Sequence, residues 1–142
     1  MQVTNQLYPT FEQLAPLSQS GGDEPIVMLN LLRFREQAAY ADGRADRVSG
    51  REAYLRYARE MKKIVEGNGG RFIFGGRALA VIVGQVEDPW DEVGIVEYPS
   101  RAEFHRIATS REVQAIGVHR EAGLEGQLLI LVTRSSLGDL VG

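Results

Sequence analysis

Apolar side chains fall along this chain in four short runs and in two longer segments where they recur every three or four residues. The first run, residues 26–32, follows Pro25 and is apolar except for Asn30. A short run of this kind is typical of a buried β-strand. The same pattern predicts three further strands at 71–84, 93–98 and 127–133. The pair Gly75-Gly76 lies inside the second of these strands and indicates a bulge or a sharp bend.

The first helix is predicted from its cap and its spacing. Ser49 and Glu52 stand three residues apart, which is the spacing of a capping box. Apolar positions then recur at helical spacing over residues 50–66. The glycine-rich stretch 67–70 supplies residues that end a helix.

The second helical segment is predicted in two parts. Ser100 and Glu103 form another capping box, so a helix is expected over 101–108. We expect it to break near residues 109–110 and to restart through 111–122.

The remaining segments carry weaker patterns. A short helix is predicted near residues 10–14, a loop at 18–23, a long polar loop at 35–49, and a frayed tail at 137–142. We interpret the chain as one domain, residues 1–142. It divides into an N-terminal extension at 1–25, a core at 26–134 and a tail at 135–142.

The order β-α-β-β-α-β is the split β-α-β pattern of the α+β, ferredoxin-like fold. That fold is a four-stranded antiparallel sheet with its helices on one face. The runs at 79–83 and 128–132 are apolar on both faces, and a strand of that kind needs cover on both sides. The helices cover one side only. We therefore predict a homodimer, sheet against sheet, which is a dimeric α/β barrel.

Charge and composition exclude several classes. Lys and Arg total 16 against 19 Asp and Glu, a net charge of −3, which argues against a nucleic-acid partner. The chain has no cysteine, so disulfides and cysteine-bound metals are excluded. No apolar run approaches the ~18 residues of a membrane span, and no signal pattern opens the chain. We expect a cytoplasmic protein without membrane contact.

Six short motifs together resemble the family called domain of unknown function 1330. The resemblance covers about residues 25–134 and rests on Met28-Leu29-Asn30-Leu31-Leu32, Gly50-Arg51-Glu52-Ala53-Tyr54-Leu55-Arg56-Tyr57, Gly69-Gly70, Pro89-Trp90-Asp91, Tyr98-Pro99-Ser100 and His119-Arg120-Glu121-Ala122-Gly123-Leu124. This family is similar to the dimeric α/β-barrel superfamily, which includes antibiotic-biosynthesis monooxygenases, haem-degrading monooxygenases and muconolactone isomerases. The resemblance implies a ferredoxin-like dimer and implies no particular reaction.

Asn30 and Arg120 are the strongest candidates for a ligand site. Asn30 is an amide inside an apolar strand, so it must bond either a neighbouring loop or helix end, or a ligand. Arg120 falls on the helical stripe of Val113 and Ile116 and should point inward. A buried guanidinium needs an anion. Glu97 is the structural candidate, a substrate carboxylate or enolate is the functional one, and a solvent-facing Arg120 is the third reading.

The remaining candidates are aromatic side chains and histidines. Tyr54, Tyr57, Trp90 and Tyr98 are at positions typical of core aromatics, yet their polar ends could line the mouth of a pocket with the 35–49 loop. Tyr40 in that loop is a candidate lid contact.

A proton could be moved by His119 or Tyr57. A surface or helix-terminal position is the plainer reading of His119. Neither His119 nor His105 has a second ligand at metal-binding spacing, so no metal is expected. No phosphate-binding glycine motif is found, and no cofactor is expected.

Three functions are compatible with these features. The favoured one is binding of a small organic molecule, such as a carboxylate, in a pocket of the dimeric barrel. The first alternative is a cofactor-independent monooxygenase- or isomerase-like enzyme. The second alternative is a structural dimer without a ligand, which predicts no cavity beside Asn30 and a complete Arg120–Glu97 pair.

Overall fold

The computed structural model describes residues 6–18 and 23–133. The tail predicted at 137–142 and the centre of the loop predicted at 18–23 lie outside the described residues. Within them the chain forms, in order, a 3₁₀ helix at Glu12–Ser18, β1 at Ile26–Phe34, α1 at Gly50–Gly67, β2 at Arg71–Arg77, β3 at Glu92–Tyr98, α2 at Arg101–Ala108, α3 at Arg111–Gly123 and β4 at Leu124–Val132.

Each α-helix of the described residues begins after a serine that caps it. The Ser49 hydroxyl accepts a hydrogen bond from the Glu52 backbone N–H at 3.0 Å, and Ser100 accepts one from Glu103 at the same distance. Ser110 accepts from Val113 at 3.3 Å. Such bonds satisfy backbone N–H groups that have no partner inside the helix. The predicted helix starts and the break between α2 and α3 are confirmed.

The four strands of the described residues form one antiparallel sheet in the order β2-β3-β1-β4. The two central strands are β1 and β3, which are not consecutive in the sequence, as the split β-α-β pattern requires. This is the predicted α+β, ferredoxin-like arrangement.

The main core lies between the sheet and the helices. Ile26 and Met28 of β1 pack there with Met61 and Val65 of α1 and with Ile107 of α2. A second, smaller cluster joins Leu32, Tyr54 and Leu124. Because side chains alternate along a strand, the residues of β1 between these buried positions face the other side of the sheet.

The open face of the sheet carries a large apolar patch. Leu29 pairs with Ile95 on one side and Ile130 on the other, and Leu31 pairs with Val93 and Leu128. Paired residues of antiparallel strands share a face, so these side chains form one patch. Ile130 remains 43% exposed in the single chain. No helix among the described residues is long and apolar enough to cross a membrane.

The strand predicted at 71–84 is wrong in its second half. β2 ends at Arg77, and Leu79, Ile82 and Val83 lie in a loop with about nine-tenths of their surface exposed. The pairing stops because the facing chain before β3 carries Pro89, which has no N–H to donate to a ladder. The run 79–83 is therefore no support for a two-sided strand, and the dimer argument rests on the open face instead.

The bulge in β2 also lies elsewhere than predicted. Phe72 pairs with Val96 and Phe74 with Ile95, so Ile73 is the extra residue. Gly75 and Gly76 continue the regular ladder.

Candidate functional site

Three polar side chains form a hydrogen-bonded chain between α3 and the sheet. Arg120 donates from Nη2 to Oε1 of Gln127 at 2.6 Å. Gln127 donates from Nε2 to Oδ1 of Asn30 at 2.8 Å. Asn30 donates in turn to the carbonyl oxygens of Met28 and Gly94, each at 3.3 Å. The chain anchors the guanidinium to the backbone of the two central strands.

The register of the strands places this chain. Gln127 of β4 pairs with Leu32 of β1, two residues from Asn30, so both amides lie on the helix side of the sheet. Arg120 stands one turn before the end of α3 and reaches down to them. Arg120 points inward, as expected, and this direction brings its guanidinium within hydrogen-bond distance of Gln127.

The ion pair between Arg120 and Glu97 is not formed, so that expectation is wrong. Glu97 accepts a hydrogen bond from Nε of Arg71 at 3.1 Å instead. The register explains this, because Glu97 pairs with Val27 and Arg71 and so faces the open side of the sheet. Among the described residues no carboxylate lies within ion-pair distance of Arg120, and Gln127 is its one hydrogen-bond partner.

Aromatic rings lie beside this polar chain. The ring centroids of Tyr54 and Tyr57 are 5.5 Å apart, and Phe34 lies 5.5 Å from Tyr54 on the other side. Tyr54 is buried and Tyr57 is half-buried. Both belong to the face of α1 that looks toward Arg120.

Burial shifts the pKa of the two tyrosine hydroxyls. Loss of water contact raises the pKa of Tyr54 and of Tyr57 above the usual tyrosine value, while the nearby positive charge of Arg120 opposes the rise. Both hydroxyls are therefore protonated at neutral pH and can act as hydrogen-bond donors.

Tyr98 and Trp90 are not joined to the polar chain by any hydrogen bond between described residues. Tyr98 is buried and packs edge-on against Phe104, with centroids 4.8 Å apart. Trp90 is half-buried in the loop before β3. Tyr98 is therefore a core aromatic residue, as its position predicts.

His119 belongs to a second cluster, formed with the 35–49 loop. Its Nδ1 lies 2.8 Å from the hydroxyl of Tyr40, and that hydroxyl accepts a bond from Nη1 of Arg56 at 3.1 Å. Arg56 also pairs with Asp46. Burial, followed by the charges of Arg44 and Arg56, lowers the pKa of His119. The neutral ring can accept a hydrogen bond from the Tyr40 hydroxyl at Nδ1.

The two clusters use neighbouring residues of α1 and α3. Arg56 and His119 belong to one, and Tyr57 and Arg120 belong to the other. The contact predicted for Tyr40 is with His119 rather than with the Arg120 chain. His105 is exposed on α2.

Gln127 and Tyr8 were missed by sequence reasoning. Gln127 is a polar residue in an apolar strand, which is the signal that singled out Asn30. Tyr8 lies with its ring centroid 5.5 Å from the Arg120 guanidinium carbon, and no pattern around Tyr8 predicts this contact.

A groove elsewhere separates α1 from α2 and α3. Its volume is about 200 Å³, and its lining includes Ile64, Asn68, Arg106 and Ile107. None of the predicted site residues lines it. The described residues contain no group of three or more His, Asp or Glu side chains that could hold a metal ion.

The fold places this protein among small ferredoxin-like proteins. A dabb family protein from Mesorhizobium loti matches with a TM-score of 0.50 and 15% identity, over 78% of this chain and 97% of that one. A NIPSNAP-like domain protein from Burkholderia xenovorans gives the same TM-score and identity over 80% and 88%. Similarity at this level supports the fold alone.

Residues 37–133 match the family DUF1330, a domain of unknown function, so the chain belongs to this family. A protein of unknown function from Rhodopseudomonas palustris is similar over nearly its whole length. It is 33% identical, with a TM-score of 0.82, over 93% of this chain and 98% of that chain. No curated protein matches this sequence. The predicted family is confirmed.

Proposed function

We propose that this protein is a homodimer that binds a small organic carboxylate through Arg120, between the sheet and the helices. The observation that carries this proposal is the bonding of Arg120. Its half-buried guanidinium donates to one neutral amide, and no carboxylate among the described residues compensates its charge. A cation shielded from water favours an anion, and a guanidinium can bind a carboxylate through two parallel hydrogen bonds.

The surroundings support the same ligand class. Gln127 and Asn30 fix one edge of the guanidinium, so its orientation is set before a ligand arrives. Tyr54 and Tyr57 provide an apolar wall with protonated hydroxyls. We infer a ligand with a carboxylate at one end and an apolar body.

The test compares charged and neutral probes. Benzoate and hexanoate should raise the melting temperature of the protein at millimolar concentration, and benzamide should not. Arg120→Gln should abolish the shift, whereas Arg111→Gln, which changes an exposed arginine of the same helix, should keep it. An equal shift in Arg120→Gln, or no shift with either carboxylate, would overturn the proposal.

A second candidate function is cofactor-independent catalysis of the monooxygenase or isomerase type. Tyr57 favours it, because a protonated phenol beside a guanidinium gives two groups that stabilise an enolate oxygen. A bound carboxylate recovered unchanged after incubation in air indicates binding alone. Turnover that is lost in Tyr57→Phe indicates the enzyme.

The open apolar face supports the homodimer. Leu29, Ile95 and Ile130 belong to a patch that a second copy could cover with the same patch of its own. A structural dimer without a ligand is less well supported, since it requires the Arg120–Glu97 pair. The cytoplasmic location stays a prediction, and fractionation of cells expressing a tagged chain checks it.

A further inference from the structure

The N-terminal segment at residues 6–18, which we call the strap, crosses the outer edge of the sheet beside Arg120. Gln6 forms an isolated antiparallel bridge with Gln127 on the free side of β4. Leu7 packs against the cluster of Leu32, Tyr54 and Leu124. Tyr8 then places its ring over the Arg120 guanidinium, 5.5 Å from its central carbon.

Hydrogen bonds between its own residues hold the strap together. Gln6 donates from Nε2 to the carbonyl of Tyr8 and to Oε1 of Gln13, both at 2.8 Å. Thr10 and Gln13 exchange two further bonds, at 2.9 and 3.2 Å. A segment bonded in this way moves as one body.

The strap packs against the domain through Leu7, on the Leu32 cluster, and through Leu17, on the main core. Residues 8–16 are all exposed, and Leu7 and Leu17 are half-buried. At the far end Arg101 donates from Nη1 to the carbonyl of Pro16 at 2.7 Å. Nε of the same guanidinium is the one buried side-chain nitrogen or oxygen of the described residues that has no hydrogen-bond partner. The anchor therefore leaves a polar group unsatisfied, which lowers its net contribution.

We propose that the strap is a lid on the Arg120 site, with Tyr8 as the group that covers the guanidinium and Arg101 as the latch. Release of the strap removes the Tyr8 ring from Arg120 and opens a way to the guanidinium from the edge of β4. The inference rests on the proposed function only in taking Arg120 as the group that a ligand reaches.

Chemical modification of Arg120 tests the lid without a ligand. Phenylglyoxal reacts with accessible guanidinium groups, and mass spectrometry of a glutamate-specific digest gives the rate at each arginine. Tyr8→Ala and Arg101→Met should each raise the rate at Arg120 several-fold. Phe11→Ala, which removes another exposed ring of the strap, and Arg111→Met should leave it unchanged. Unchanged rates in both Tyr8→Ala and Arg101→Met would overturn the proposal.

Hydrogen exchange of the unaltered chain gives a second measurement. The strap amides should exchange together and faster than those of β1. Arg101→Met should speed exchange of the strap amides and leave the exchange rates in β1 unchanged. Strap amides as well protected as β1 would contradict a lid that opens. Protection of Arg120 from phenylglyoxal by benzoate tests the proposed function separately. If Arg120 is modified faster in the two variants but benzoate does not protect it, the lid stands and the proposed ligand is rejected.

Discussion

Gln127 is the residue on which the candidate site depends most. Its two ends join a cation on α3 to an amide on β1, so it transmits the position of the sheet to Arg120. Asn30 and Arg120 could be predicted from sequence because each breaks an apolar pattern. The partner of Arg120 could not, since the choice between Glu97 and Gln127 depends on which face each strand turns toward α3.

Gln127→Ala should lower the free energy of unfolding by about 1–3 kcal/mol, because it leaves Asn30 and Arg120 without their shared partner. Urea denaturation measures this loss. Gln114→Ala, at an exposed position of α3, is the matched control and should change stability little. Equal values for the two variants would mean that the polar chain contributes nothing to the fold.

His119 should make the protein less stable in mild acid. Its pKa is lowered in the folded state, so the unfolded chain binds the proton more readily as the pH falls below the ordinary histidine value near 6.5. The groups that face it are Tyr40, Arg44, Arg56, Asp42 and Asp46.

The measurement compares melting temperatures at pH 8 and pH 5.5. His119→Asn, which keeps an acceptor near the Nδ1 position, should lose less stability over this range than the unaltered protein. His105→Asn changes an exposed histidine and should behave like the unaltered protein. A loss in His119→Asn equal to that of the unaltered protein would contradict the assignment.

At the scale of elements, helices were predicted better than strands. The caps at Ser49 and Ser100 lie beside the turns that they stabilise, so the sequence near each helix determines its start. Strand ends depend on the facing strand. The apolar run 79–83 satisfies every local rule for a strand, yet the segment opposite it contains Pro89 and cannot pair.

Close approach of α1 and α3 gives an element-scale prediction. A methyl group on Gly123 would clash with the carbonyl oxygen of Gly50 and lie 2.8 Å from the nitrogen of Tyr54. Gly123→Ala should therefore destabilise the fold by about 1–3 kcal/mol, as overpacking does. Gly117→Ala is the control on the same helix, with nothing within 4 Å of the added methyl. It should stabilise by about 0.5–1 kcal/mol. Thermal unfolding of the two variants measures both changes in stability. A Gly123→Ala variant as stable as the unaltered protein would contradict the predicted clash.

For the whole molecule, the open face of the sheet determines the expected assembly. Of the two apolar runs behind the predicted dimer, 79–83 is not a strand, whereas 128–132 lies in β4. What sequence reasoning could not supply was the pairing of Leu29 with Ile95 and Ile130, which makes the face continuous.

Ile130→Glu should convert the dimer into monomer, because it places a charge in the centre of the proposed interface. Sedimentation velocity at micromolar concentration measures the mass. Leu129→Glu changes the neighbouring residue of the same strand, which has a similar exposure of 46% but lies on the helix side. It should leave the dimer intact. A monomeric unaltered protein would contradict the assembly itself.

The bridge between Gln6 and Gln127 has a consequence for solubility. β4 is an outer strand of the sheet, and the free backbone groups of an outer strand can recruit a strand from another molecule. Gln6 occupies part of that edge, next to the apolar residues Leu128, Leu129 and Ile130. A shortened chain that begins at Glu24 would keep the domain and uncover this edge. We expect it to aggregate in concentrated solution where the full chain stays dispersed.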